Sequence, residues 1–183
     1  ELPYKLDVFD NETFKKAKTD FYVVMTNVES GKPEYVLIED AFAQMEYLRA
    51  TSALPFASKI IEINGKKYLD GGISDSIPID FCESLGYDKI IAVLTRPEGT
   101  YKLVYRKYPN LVNSLLNMAT DYEKVLAKIK DLENKGEIFV VRPPEVLKIG
   151  RLEKNRDKIQ KVYDTGLNTG LKELDNIVKY LNK

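Results

Sequence analysis

KIIEINGKKYLDGG, residues Lys59–Gly72, is the stretch on which the reading of the fold turns. Lys59–Ile63 and Lys66–Leu69 are short β-forming runs. Asn64-Gly65 between them is the strongest short hairpin signal, because a two-residue type I′ turn needs positive φ at both of its positions. The second run leads straight into Asp70-Gly71-Gly72, a loop. Ser76-Ile77-Pro78 then opens a short helix that Gly86 closes. Beyond it, Lys89–Thr95 (KIIAVLT) is a continuous apolar run, the form expected of a strand covered on both faces. On the other side, Phe21–Asn27 (FYVVMTN) and Glu34–Ile38 (EYVLI) read as paired strands joined through the turn Glu29-Ser30-Gly31-Lys32-Pro33. Asp40 stands where it can cap a helix running to about Thr51, with Ala41, Met45 and Leu48 on one face, and Pro55 ends that segment.

The second half is read by its helical periodicity. From Asn110 to Gly136 the residues Leu111, Leu115, Ala119, Tyr122, Leu126, Ile129 and Leu132 recur at helical spacing. Ile138–Arg142 (IFVVR) is another buried strand, stopped by Pro143-Pro144. In the tail Ile159, Tyr163, Leu167, Leu171, Leu174, Val178 and Leu181 repeat the helical pattern. Strands alternating with amphipathic helices predict an α/β layer fold, and 183 residues without a linker-like stretch predict a single domain over residues 1–183.

Composition excludes several chemistries. There is no histidine, so no Ser-His-Asp or Cys-His site can be built within this chain, and no His-ligated metal. One cysteine, Cys82, excludes internal disulfides and multi-cysteine metal motifs, and reads as a core filler. The 28 basic and 28 acidic side chains balance, which argues against nucleic acid as a partner. No glycine-rich loop cradles a phosphate, so neither cofactor nor metal is expected. No apolar run reaches the roughly 18–20 residues that span a bilayer, and no signal-like segment opens the chain. The expectation is a cytoplasmic protein with peripheral contact to membranes.

What remains is carboxylates, hydroxyls, lysines and backbone amides. Asp70 stands out because it follows a strand directly, where α/β folds gather functional groups, and Gly71 and Gly72 let a ligand or another backbone approach closely. The competing reading is a plain turn, with Asp70 bonding its own backbone. Asp75, just before Ser76, reads as a cap for the helix that starts near Pro78. Gly72-Ile73-Ser74-Asp75-Ser76 comes nearest to a G-x-S-x-G nucleophile elbow among the seven serines, but its last position is serine. No serine of this chain is a nucleophile. Tyr101–Tyr108 (YKLVYRKY) mixes tyrosine with Lys102, Arg106 and Lys107, which suits a solvated loop, or contact with lipid headgroups or a single-stranded nucleic acid.

The ordered segments Arg49-Ala50-Thr51-Ser52-Ala53-Leu54-Pro55-Phe56, Tyr68-Leu69-Asp70-Gly71-Gly72 and Asp75-Ser76-Ile77-Pro78 with Gly86 resemble the C-terminal part of a patatin-like phospholipase. Val93-Leu94-Thr95-Arg96-Pro97, Tyr105-Arg106-Lys107-Tyr108-Pro109 and Ile149-Gly150-Arg151-Leu152-Glu153-Lys154 extend the resemblance, toward the small bacterial branch, over nearly the whole chain. The resemblance implies a three-layer α/β/α fold with a mixed, mostly parallel sheet, of which this chain is the C-terminal portion. It also implies a serine lipid acyl hydrolase that works through a Ser-Asp dyad on lipid or other acyl esters. The catalytic aspartate of the family's Asp-Gly-Gly or Asp-Gly-Ala motif maps onto Asp70, with Gly71 and Gly72 supporting it. The nucleophilic serine and the glycine-rich oxyanion loop precede the region seen here, so this chain alone is expected to be inactive. Ser76 departs from the asparagine that many relatives carry after the second aspartate. The Tyr101–Tyr108 loop is expected at the mouth of the acyl site. The alternative is a non-catalytic lipid- or acyl-binding protein, or an interaction module, that keeps the fold without a nucleophile.

Overall fold

The computed structural model describes residues 2–55, 57–98, 112–150 and 153–183; of residues 2, 4 and 112–121 only the backbone is described. It is a mixed α/β structure whose contacts gather in two compact units, one holding the described residues up to Pro78 together with 112–118, the other holding the described residues of 79–98 and 119–183.

The first unit is built on a four-stranded sheet of order β2-β1-β4-β3, with β1 over Tyr22–Asn27, β2 over Pro33–Leu37, β3 over Ile61–Ile63 and β4 over Lys66–Asp70. Every pairing in it is antiparallel. The β3–β4 hairpin forms where Asn64-Gly65 predicts it, and both turn residues take positive φ, 51° and 77°. One face of the sheet carries Met25, Tyr68 and Ile61. Helix α2 (Met45–Thr51) packs on that face, so that Met25 and Ala50 are fully sequestered and Ala53, Leu69 and Ile73 complete the core. Two short elements flank this core: α1 (Asn11–Lys16), capped by Asp10, and a 3-10 turn over Gly71–Ile73.

Asp40 caps a different structure from the expected one. Its Oδ1 accepts from the amides of Phe42 and Ala43, closing a turn over residues 41–44, and the regular helix begins only at Met45. Gln44 sits between the two, its Oε1 accepting from the amides of Glu39 and Asp40.

The second unit pairs β5 (Ile90–Val93) with β6 (Ile138–Val141) in parallel. Helix α4 (Val112–Lys135) supplies the crossover between them that a parallel pair requires. Lys128 of α4 forms ion pairs with Asp80 and Glu83 of α3 (Ile79–Ser84). Helix α5 (Arg156–Leu181) is capped by Asn155 and packs on β6.

Two expectations are corrected. Within the described residues the sheet content is mostly antiparallel, three pairings against one; in two of the three, Asn64-Gly65 and the Glu29–Pro33 turn join their strands directly and leave no length for a crossover. Nor is the KIIAVLT strand covered on both faces by this chain. Val93 is 74% exposed and Ile91 36%, while Ala92 between them is buried. The apolar row of α5 is likewise open, with Tyr163 at 63% and Leu171 at 61% exposed. No described helix is long and apolar enough to cross a membrane.

Candidate functional site

Asp70 is the last residue of β4 and the N-cap of the 3-10 turn that follows. Three bonds fix it. Its amide donates to the Ala53 carbonyl at 2.9 Å, its carbonyl accepts from the Thr26 hydroxyl at 2.8 Å, and its Oδ1 accepts from the Gly72 amide at 2.8 Å. The turn bond of the plain reading is thus present. It occupies one carboxylate oxygen, and among the described residues no protein group engages the other.

Gly71 is where the backbone of the loop meets the backbone of β1. A Cβ placed on it would lie 2.2 Å from the Val24 carbonyl oxygen, a contact that no side chain can make, so only glycine lets the loop after Asp70 rest on the sheet. That same carbonyl accepts from the Thr51 hydroxyl at 2.6 Å. The loop is closed by the amides of Ser74 and Asp75, both donating to the Gly71 carbonyl, and by Ser76, whose hydroxyl donates to the Gly72 carbonyl.

Asp75 does not take the place expected of it. Helix α3 begins at Ile79, beyond Pro78, which leaves Asp75 too far back to reach the first-turn amides. Its Oδ2 instead accepts from the Tyr35 hydroxyl of β2 at 2.6 Å. Thr26 and Tyr35 stand on one face of the sheet, since Tyr35 is paired with Val24, two residues before Thr26. The loop 70–75 is therefore held at both ends by side chains from β1 and β2. The sequence reading passed over both residues, because threonine and tyrosine inside β-rich runs look like ordinary strand formers. No local signal in the sequence marks either of them.

On the opposite face Glu34 gathers the hydroxyl of Tyr68 (2.7 Å), the side-chain amide of Asn27 (2.8 Å) and the ammonium of Lys66 (3.3 Å). The Tyr68 hydroxyl above all holds the Glu34 carboxyl below its usual range; burial opposes it, and Asn27 and Lys66 add to the lowering. Burial, and then Glu34 itself, push the Tyr68 phenol well above its usual value.

The described residues contain no group of three or more cysteines or carboxylates placed to hold a metal ion. Two cavities, of about 680 and 290 Å³, are lined by residues from Leu94 onward, and the Asp70 loop contributes to neither. Tyr101–Tyr108 lies outside the described residues.

Residues 6–82 match the profile of the Patatin-like phospholipase family, and residues 108–182 match that of a Domain of unknown function (DUF6363). The first match lies in the N-terminal part of these 183 residues and ends four residues beyond Pro78, the last residue of the first unit's N-terminal stretch. The blocks at Val93–Pro97, Tyr105–Pro109 and Ile149–Lys154 fall outside it, so the patatin-like extent is narrower than the resemblance implies. The chain is also 28% identical over 159 residues to Uncharacterized protein YjjU of Escherichia coli (strain K12), covering 80% of this chain and 44% of that protein. It spans less than half the length of the curated relative it matches.

Proposed function

We propose, from the premise that residues 6–82 belong to the patatin-like phospholipase family, that Asp70 is the base of a Ser-Asp dyad in a serine lipid acyl hydrolase. The serine, in a G-x-S-x-G elbow, and the glycine-rich oxyanion loop lie outside these 183 residues, in a complete three-layer α/β/α domain. The observation that carries this reading is the Asp-Gly-Gly loop itself: a carboxylate at a strand's carboxyl end, fixed through its backbone and one oxygen, with the second oxygen unengaged among the described residues.

The serine oxygen attacks the ester carbonyl carbon, and its proton passes to the open oxygen of Asp70. The carbonyl electron pair moves onto oxygen and is held by backbone amides of the oxyanion loop. Collapse of the tetrahedral species breaks the bond to the alcohol, which leaves with the proton from Asp70. Water then attacks the acyl-serine, Asp70 takes its proton, and the serine oxygen recovers that proton as the acid departs. No histidine is required at any step.

Asp70→Asn in the complete protein tests the reading. The amide keeps the size of the carboxylate and can still accept the Gly72 bond, but it cannot take a proton. Activity falls by roughly 10² or more in kcat, the scale of a positioned general base, with thermal stability little changed. Asp75→Asn keeps an acceptor for the Tyr35 hydroxyl and loses far less. Equal losses in both variants, or a greater loss at Asp75, would sink the assignment.

A further inference from the structure

We infer that Thr26 is the positioning residue of the Asp70 base, and that it acts through a part-buried relay of two hydroxyls. The inference rests on the reading of Asp70 just proposed. Thr26 is 3% exposed, at the point where β1 runs beside the end of β4. Its Oγ1 lies 2.8 Å from the Asp70 carbonyl oxygen and 2.8 Å from the Ser74 hydroxyl. A carbonyl can only accept, so the single proton of the Thr26 hydroxyl goes to Asp70. Ser74 must then donate its own proton to Thr26 Oγ1. The relay runs Ser74 to Thr26 to the Asp70 carbonyl, and every direction in it is fixed.

The consequence reaches the carboxylate through the backbone. Holding the Asp70 carbonyl sets its ψ at 127° and so the direction in which its side chain leaves the strand. The Gly72 amide then sets the carboxylate about that direction by holding Oδ1. Gly71, pressed against the Val24 carbonyl, stops the loop from sinking toward the sheet, and the Thr26 bond stops it from lifting away. Because Ser74 is bonded to the same hydroxyl, both ends of the tight turn answer to one side chain on β1. A base misplaced by about 1 Å can cost on the order of 10²-fold in rate, so a clamp of this kind acts on kcat.

Thr26→Val is the deciding variant, since it keeps the branched shape and buried volume and removes only the hydroxyl. In the complete protein, with a p-nitrophenyl acyl ester as the probe, kcat falls by roughly 10- to 100-fold while KM stays within about threefold. Thr26→Ser restores the hydroxyl and returns kcat to near the parent value. Ser74→Ala leaves the Thr26–Asp70 bond in place and costs less than Thr26→Val. A role in stability alone would lower Tm and leave kcat untouched at temperatures well below Tm. Where Thr26→Val does not fold, Thr26→Cys, a weak donor, takes its place.

Asp70→Asn is assayed beside them. An inactive Asp70→Asn with a fully active Thr26→Val overturns the inference and leaves the Asp70 reading standing. An active Asp70→Asn, or a complete protein without esterase activity, overturns both. A Thr26→Ser variant as impaired as Thr26→Val also refutes the relay.

Discussion

Glu34 draws its donors from two neighbouring strands, Asn27 on β1 and both Lys66 and Tyr68 on β4, and so ties the order of the sheet to one charge. The pattern of alternating side chains places Glu34, Asn27 and Tyr68 on one face; the charge itself is what that face needs to keep Tyr68 satisfied when 96% of it is withdrawn from water. The folded Glu34 carboxyl sits below its usual value of 4.5, so the unfolded chain takes up its proton first as pH falls. Stability from this group is therefore complete above that value and fades as pH drops through the lower folded one. Glu34→Gln keeps one acceptor for Tyr68 and cannot titrate. It lowers stability near neutrality by roughly 1–2 kcal/mol and removes this share of the acid-side decline. Melting curves from about pH 3 to pH 7 check it, and an unchanged slope would show that other carboxylates govern the decline. None of this was visible in EYVLI, which reads only as the partner strand of FYVVMTN.

At the scale of elements, Tyr180 is what anchors α5. Near the helix's last turn, 5% exposed, it lies against Phe139 with ring centroids 5.8 Å apart. Its hydroxyl donates to the Glu137 carbonyl at 2.7 Å and accepts from the Ile90 amide at 3.1 Å. These are the groups next to the start of β6 and at the start of β5, so one side chain staples the end of a helix to the beginnings of two strands. Tyr180→Phe keeps the ring contact and takes the hydroxyl partner from the Ile90 amide and the Glu137 carbonyl. The loss is about 0.5–1.5 kcal/mol, seen as a lower urea midpoint, and faster amide exchange at Ile90 accompanies it. An unchanged midpoint would mean that water replaces the hydroxyl without penalty. The periodicity of the tail predicts α5 itself, and the helix runs where it should. It does not predict which face packs. Tyr180 lies off the apolar row, and that row, from Ile159 to Leu181, is the part left open.

For the whole molecule, catalysis is the property that these 183 residues are expected to lack. Four of the described serine hydroxyls are committed to local work: Ser52 donates to the Leu48 carbonyl, Ser76 to Gly72, Ser84 to Phe81, and Ser74 is bonded to Thr26. None of these sits in an elbow. The chain by itself is thus expected to hydrolyse no ester above background, and a fluorophosphonate probe to leave it unlabelled at concentrations that label a serine hydrolase stoichiometrically. Stoichiometric labelling of any serine here would refute that. The absence of histidine, the hairpin at Asn64-Gly65, the helices and most strand positions follow from the sequence alone, because they depend on residue type and on periods of two and 3.6 that neighbours along the chain express. So does the choice of Asp70 as the residue to watch. That β1 pairs with β4 and β5 with β6, that Asp75 meets Tyr35 and not a helix, and that Thr26 holds the Asp70 carbonyl were decided only by the tertiary structure. Those contacts join residues 40 or more positions apart, and a hydroxyl in a strand carries no local mark of the carbonyl it will reach once the sheet has closed.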